Sequence, residues 1–160
     1  MKKMKVTCLV NDVSISESVE PFVSVADFLR DGLGLFGTRL GCEYGSCGSC
    51  TVLIDGMSVR ACLELAVRLE GSSVLTIEGL CDPEGPLSDV QEAFTENHAL
   101  QCGYCTSGML MTCVEYLNDG DALDENEIRE IISGNLCRCT GYQGVVDAVL
   151  KAQKAKKSND

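Results

Sequence analysis

RLGCEYGSCGSCTVLIDG, residues 39–56, decides how the first half of this chain folds. Within it Cys42, Cys47 and Cys50 stand at C-x4-C-x2-C, and Cys62 follows as an available fourth thiol. This is the plant-type spacing for a [2Fe–2S] cluster. Thiolates and bridging sulfides carry net negative charge, so the loop must wrap closely and turn backbone N–H groups inward. Gly41, Gly45 and Gly48 permit that approach, and Ser46 and Ser49 can add hydrogen bonds. Four thiolates also suit zinc, but zinc motifs usually bring paired C-x2-C knuckles, so the spacing favours iron–sulfur.

The same stretch ends in Asp55-Gly56, a type I′ hairpin signal joining TVLI (51–54) to MSVRA (57–61). Working outward, KVTCLVN (5–11) and SISES (14–18) alternate and meet at Asn11-Asp12, which predicts a second hairpin, and VLTI (74–77) reads as a buried closing strand. Ser24 with Asp27 marks a helix over about 25–31 that Gly32 and Gly34 end. Residues 1–78 should therefore form a small mixed sheet with one helix against it.

Residues 79–88, with Pro83 and Pro86, read as a linker. Beyond it the periodicity turns helical over 89–160. Ser88 and Gln91 form a capping box for a helix over about 89–98, and SGMLMTCVEYL (107–117) is apolar all round, as a buried helix would be. Asp124 and Glu127 box a third helix, Leu123 and Ile128 staple it, and Gly134 stops it. A fourth is expected over about 143–154, with Lys151 and Lys154 favouring its C-terminal dipole and a frayed KKSND tail behind it.

This half carries a second cysteine set, Cys102 and Cys105 (QCGYC) with Cys137 and Cys139 (NLCRC). Each pair falls at a predicted helix end, where free N–H groups and the dipole stabilise thiolates. The spacing alone leaves zinc or a redox disulfide as competitors.

Composition bounds the function. The chain has 160 residues, eleven cysteines, no tryptophan and a net charge of −11. Thirteen basic residues against 24 acidic ones offer no basic face for phosphates, so nucleic acid is excluded as a partner. The first residues, MKKMKVTCLVNDVSIS, lose their apolar run too soon for a signal peptide or a membrane span. A cytoplasmic, reducing location follows as an expectation, in which cysteines bind metal rather than pair.

The eight cysteines together resemble those of the small iron–sulfur subunit of the molybdenum hydroxylases, the xanthine dehydrogenase, aldehyde oxidoreductase and carbon monoxide dehydrogenase group. The carriers are RLGCEYGSCGSCTVLIDG (39–56), Cys62, LTIEGL (75–80), HALQCGYCTSGML (98–110) and SGNLCRCTGY (133–142). The resemblance implies an α+β chain: a plant-ferredoxin-like β-grasp domain with one [2Fe–2S] cluster on Cys42, Cys47, Cys50 and Cys62, then a four-helix-bundle domain with another on Cys102, Cys105, Cys137 and Cys139. It implies that Gln101 and Cys139 lie near the pterin of a molybdopterin, as the cytosine dinucleotide, on a large subunit. It further implies a medium subunit holding FAD and a dimer of heterotrimers. Electrons would pass singly from molybdenum through the two clusters to FAD. Ser107 departs from the family pattern, standing where many relatives have proline. The alternative is a free-standing two-cluster ferredoxin-like carrier, and a third reading is a zinc-stapled interaction module.

Other residues read more plainly. Cys8 and Cys113 are expected as small core residues, and Cys81 as an exposed linker thiol without function. His98, the sole histidine, has no nucleophile or carboxylate partner in the sequence and reads as structural or interfacial. Tyr104 and Tyr142 flank the second set, as shields or as ordinary packing. Arg138 lies between two ligands, where its charge could tune a cluster or pair with a partner subunit. No acid–base pair or substrate pocket is evident, so the chain itself is expected to carry electrons within a larger oxidoreductase.

Overall fold

The computed structural model describes residues 2–120 and 122–159. Among these residues five strands, β1 (Met4–Val10), β2 (Val13–Val19), β3 (Thr51–Ile54), β4 (Met57–Arg60) and β5 (Ser73–Leu75), form one sheet in the order β2-β1-β5-β3-β4. β1 and β2 are antiparallel with Val10 opposite Val13. Asn11 and Asp12 close the hairpin at φ 50 and 63, the left-handed geometry of a type I′ turn. β3 and β4 repeat the device, with Asp55 and Gly56 at φ 50 and 87. β5 lies between the hairpins, parallel to β1 and antiparallel to β3. Alternation on β1 sends Val6, Cys8 and Val10 inward, as the pattern requires.

α1 (Val25–Asp27) begins as expected, with Ser24 Oγ accepting from the Asp27 N–H at 3.1 Å. The helical run reaches Gly32, but not as one α-helix. Phe28–Gly32 widens into a π-type turn in which the Leu33 N–H reaches the Phe28 carbonyl, keeping Phe28 and Leu29 both buried. The closing strand is also shorter than VLTI. The Asn11 carboxamide oxygen takes the Thr76 N–H at 2.9 Å, and Ile77–Gly79 then forms a 3₁₀ turn.

Residues 80–88 hold no regular element. α2 (Asp89–Glu96) starts at the Ser88/Gln91 capping box and stops two residues short of expectation, where Asn97 caps it and His98 adopts φ 51. α3 (Thr106–Asp119) ends at Gly120, whose φ of 82 suits the left-handed C-terminal cap. α4 (Glu125–Ile132) has a complete box, with Asp124 accepting from the Asn126 and Glu127 N–H groups and Glu127 returning the bond. α5 (Gln143–Asn159) is longer than expected and absorbs most of the KKSND stretch. Gln153 hydrogen-bonds both backbone groups of Leu123, and Lys156 donates to the Leu117 carbonyl, which ties this helix end to its neighbours. Asp160 lies outside the described residues.

Two cores result. Val6, Val25, Leu29, Val52, Leu69 and Val74 fill the one beneath the sheet. Phe94, Met109, Met111, Ile128, Ile132 and Val145 fill the one among the helices, and Leu53 of β3 joins it. Cys8 and Cys113 are core residues, whereas Cys81 is half-buried rather than exposed. Among the described residues no helix is long and apolar enough to cross a membrane.

Candidate metal centres

The structure brings the first quartet together. Residues 41–50 form an irregular loop ahead of β3, Cys50 is its last residue, and Cys62 follows β4, so the β3–β4 hairpin carries the fourth thiol back to the other three. Cys42 and Cys47 adjoin, with the Cys47 N–H donating to Cys42 Sγ at 3.3 Å, while Cys50 interacts with Cys62 and Cys47. Loop N–H groups converge on Cys42: those of Tyr44 and Cys47 lower its thiol pKa to about 7. Burial instead pushes Cys50 up to about 11. The glycines have the predicted use. A Cβ on Gly41 would stand 3.0 Å from Cys47 Sγ, and Gly48 sits at φ 74 with its missing Cβ only 2.5 Å from the Gly134 carbonyl.

The second quartet sits at helix ends. Cys105 is the N-cap residue of α3, Cys102 lies on the turn before it, and Cys137 and Cys139 occupy the turn between α4 and α5. Cys102 and Cys139 approach at 3.6 Å between sulfurs, and both are exposed. Cys105 interacts with Cys137, and both are half-buried. Burial pushes the Cys105 thiol up to about 12. Burial acts upward on Cys137, but the Thr140 hydroxyl and N–H, at 3.2 and 3.4 Å from its sulfur, together with the Cys139 N–H and the Cys105 thiol, turn the net shift down. The Cys102 thiol raises that of Cys139.

Each quartet is thus two sulfur pairs side by side. Among the described residues no group of three or more His, Cys, Asp or Glu side chains surrounds one point as a single metal ion would need. Paired thiols with inward N–H donors fit a two-iron cluster, in which each iron takes two of the four cysteines, better than one tetrahedral zinc. All eleven cysteines are free thiols in the structure.

The flanking residues have definite partners. Gln101 Nε2 donates to the Cys139 carbonyl at 3.0 Å, bracing the exposed turn that carries Cys139. Tyr104 donates its hydroxyl to the Leu40 carbonyl at 2.7 Å, and the Tyr142 hydroxyl accepts from the Cys137 N–H at 2.7 Å, so both do more than pack. Arg138 and His98 are exposed. Arg60 and Asn135, which join the two cysteine regions, leave no local pattern in the sequence because their partners are distant along the chain. Arg60 donates to Thr51 Oγ1 and to the Gly134 carbonyl, and Asn135 to the Gly48 carbonyl.

Residues 8–76 match the 2Fe-2S iron-sulfur cluster binding domain, and residues 76–150 the [2Fe-2S] binding domain. The chain is 50% identical to the beta subunit of the 6-hydroxypseudooxynicotine dehydrogenase complex of Paenarthrobacter nicotinovorans, across the whole of both chains. It is 40% identical to the xanthine dehydrogenase iron-sulfur-binding subunit of Escherichia coli O157:H7, covering 94% of this chain and 95% of the relative. The chain belongs to the small iron–sulfur subunits of the xanthine dehydrogenase and aldehyde oxidoreductase family. A chain of the quinoline 2-oxidoreductase structure from Pseudomonas putida 86 superposes with TM-score 0.93 at 46% identity, covering 99% of this subunit and 98% of that chain. As a small iron–sulfur subunit it carries two [2Fe–2S] clusters and transfers electrons within a complex whose partner subunits hold molybdopterin and FAD.

Proposed function

We propose that Cys42, Cys47, Cys50 and Cys62 hold one cluster and Cys102, Cys105, Cys137 and Cys139 the other, in a β-grasp domain and a four-helix domain respectively. When bound, the clusters accept and release electrons one at a time between molybdopterin on the large subunit and FAD on the medium subunit. The observation that carries this reading is the sorting of all eight cysteines into two sets of sulfur pairs, with three bystanders left over. The chain supplies position and environment. Inward N–H groups hold thiolates in the first loop, Thr140 does the same for Cys137, and burial of Cys50 and Cys105 keeps water from one side of each site.

The exposed pair, Cys102 and Cys139, with Gln101 beside them, faces the large subunit and its pterin in this reading, and Gln101 both braces that turn and offers the remaining amide oxygen to the partner. The assembly is a cytoplasmic dimer of heterotrimers with the cytosine dinucleotide form of the pterin. Relatives at 46–50% identity are named for 6-hydroxypseudooxynicotine and quinoline, which supports a substrate with a nitrogen-containing aromatic ring, bound on the large subunit.

Purification with the partner chains tests this. About four iron and four acid-labile sulfide per chain, with visible absorption that bleaches when the complex receives quinoline under anaerobic conditions, is the expected result. Cys→Ser at any of the eight positions should lower iron and sulfide content. A colourless protein holding zinc would overturn the reading, and a monomer with iron but no partner chains would return it to a free-standing carrier.

A further inference from the structure

Asn135 is a fully buried polar side chain whose amide is used at both ends. Its Nδ2 donates to the Gly48 carbonyl at 2.9 Å, and its Oδ1 accepts from Thr112 Oγ1 at 2.9 Å. Gly48 stands one residue after Cys47 and two before Cys50, and Asn135 two before Cys137. One side chain therefore ties a loop of the first quartet to a loop of the second while Thr112 holds it against α3. We propose that Asn135 is the positioning residue that sets the spacing between the two cysteine quartets, supported by Arg60, which donates to Thr51 Oγ1 at 2.5 Å and to the Gly134 carbonyl at 2.7 Å. This rests on the ligand assignment above.

The chemistry needs an amide. Only a group that donates and accepts at once, in one plane, satisfies a backbone carbonyl on one side and a hydroxyl on the other; aspartate would set a carboxylate oxygen against the Gly48 carbonyl. The rest of the network tolerates its loss. The Gly48 carbonyl keeps the Thr51 hydroxyl at 2.6 Å, and the Thr112 hydroxyl can turn its one proton to the Gly108 carbonyl, 3.1 Å away, so removing the amide orphans neither partner. What disappears is the link made through the amide, while the Arg60 bonds and the Leu136 N–H to Cys47 carbonyl bond at 2.8 Å remain. Electron exchange between two centres weakens steeply with separation, so a link of this kind acts on the rate of transfer through the chain.

The test uses the full-length chain with both clusters, reduced with dithionite, and reads the spin–spin splitting between the two paramagnetic centres by electron paramagnetic resonance. Through-space coupling falls with the cube of the separation, so the splitting reports spacing independently of turnover. Asn135→Ala and Asn135→Asp should retain iron, sulfide and the individual signal of each cluster, and show a smaller splitting than wild type. Wild-type splitting in either fully loaded variant would overturn the proposal. Should both lose iron, Thr112→Val, which removes only the hydroxyl orienting the amide, decides the matter: reduced splitting supports the role and unchanged splitting refutes it. A wild-type chain without two cluster signals would instead refute the ligand assignment.

Discussion

Gly108→Ala sets two local effects against each other. Gly108 lies in the first turn of α3, where alanine is favoured over glycine by up to about 1 kcal/mol. Propensity alone predicts a more stable protein. Yet a Cβ there would stand 2.2 Å from the Gly48 carbonyl oxygen and 2.8 Å from that of Ser49, both backbone atoms of the first cysteine loop. Real Cβ atoms essentially never come closer than 3.0 Å, so helix and loop must part by about 0.8 Å. Overpacking of this kind costs about 1–3 kcal/mol. The same movement strains the Asn135–Gly48 bond, and a hydrogen bond contributes about 1 kcal/mol. The net loss is about 2 kcal/mol, and at about 2–4 °C per kcal/mol for a chain of this length the melting temperature should fall by about 4–8 °C. Circular dichroism of the cluster-loaded protein measures it. A melting temperature equal to or above wild type would show that α3 does not press on the ligand loop.

Two further outcomes follow from the site and the caps. In cluster-free protein near neutral pH, iodoacetamide should modify Cys42 well before Cys50 or Cys105, because N–H donors lower the first thiol to about 7 while burial raises the others to about 11 and 12; peptide mass spectrometry after brief labelling reads the order, and equal rates would contradict the assigned environments. Asp124→Ala removes the side chain that accepts two backbone N–H groups at the start of α4 and should cost about 1 kcal/mol, whereas Asp124→Asn should recover most of it in the same unfolding assay.

Much of this fold is written in short-range chemistry. Asn11-Asp12 and Asp55-Gly56 tolerate positive φ and therefore announce both hairpins, and Asp124 with Glu127 marks α4 before any contact is known. The departures arise where a distant partner intervenes. VLTI loses its end because Asn11, more than sixty residues earlier, takes the Thr76 N–H. α5 outruns its predicted end because Gln153 and Lys156 find backbone partners near α3 and α4. The candidate ligands were legible because cysteine spacing is itself local, and the resemblance extended that reading to both quartets. Asn135 and Arg60 were not, since an amide or guanidinium aimed at a remote carbonyl looks in sequence like any surface residue.

The placement of Leu53 bears on heredity. The two matched domains abut at residue 76, which invites the idea of modules exchanged between ancestors. Leu53, however, belongs to a strand of the first and is buried among the helices of the second. A crossover at the boundary would pair this strand with helices shaped for another side chain, so viable hybrids must inherit β3 and α3 from the same parent. Grafting either half onto a foreign scaffold would meet the same requirement.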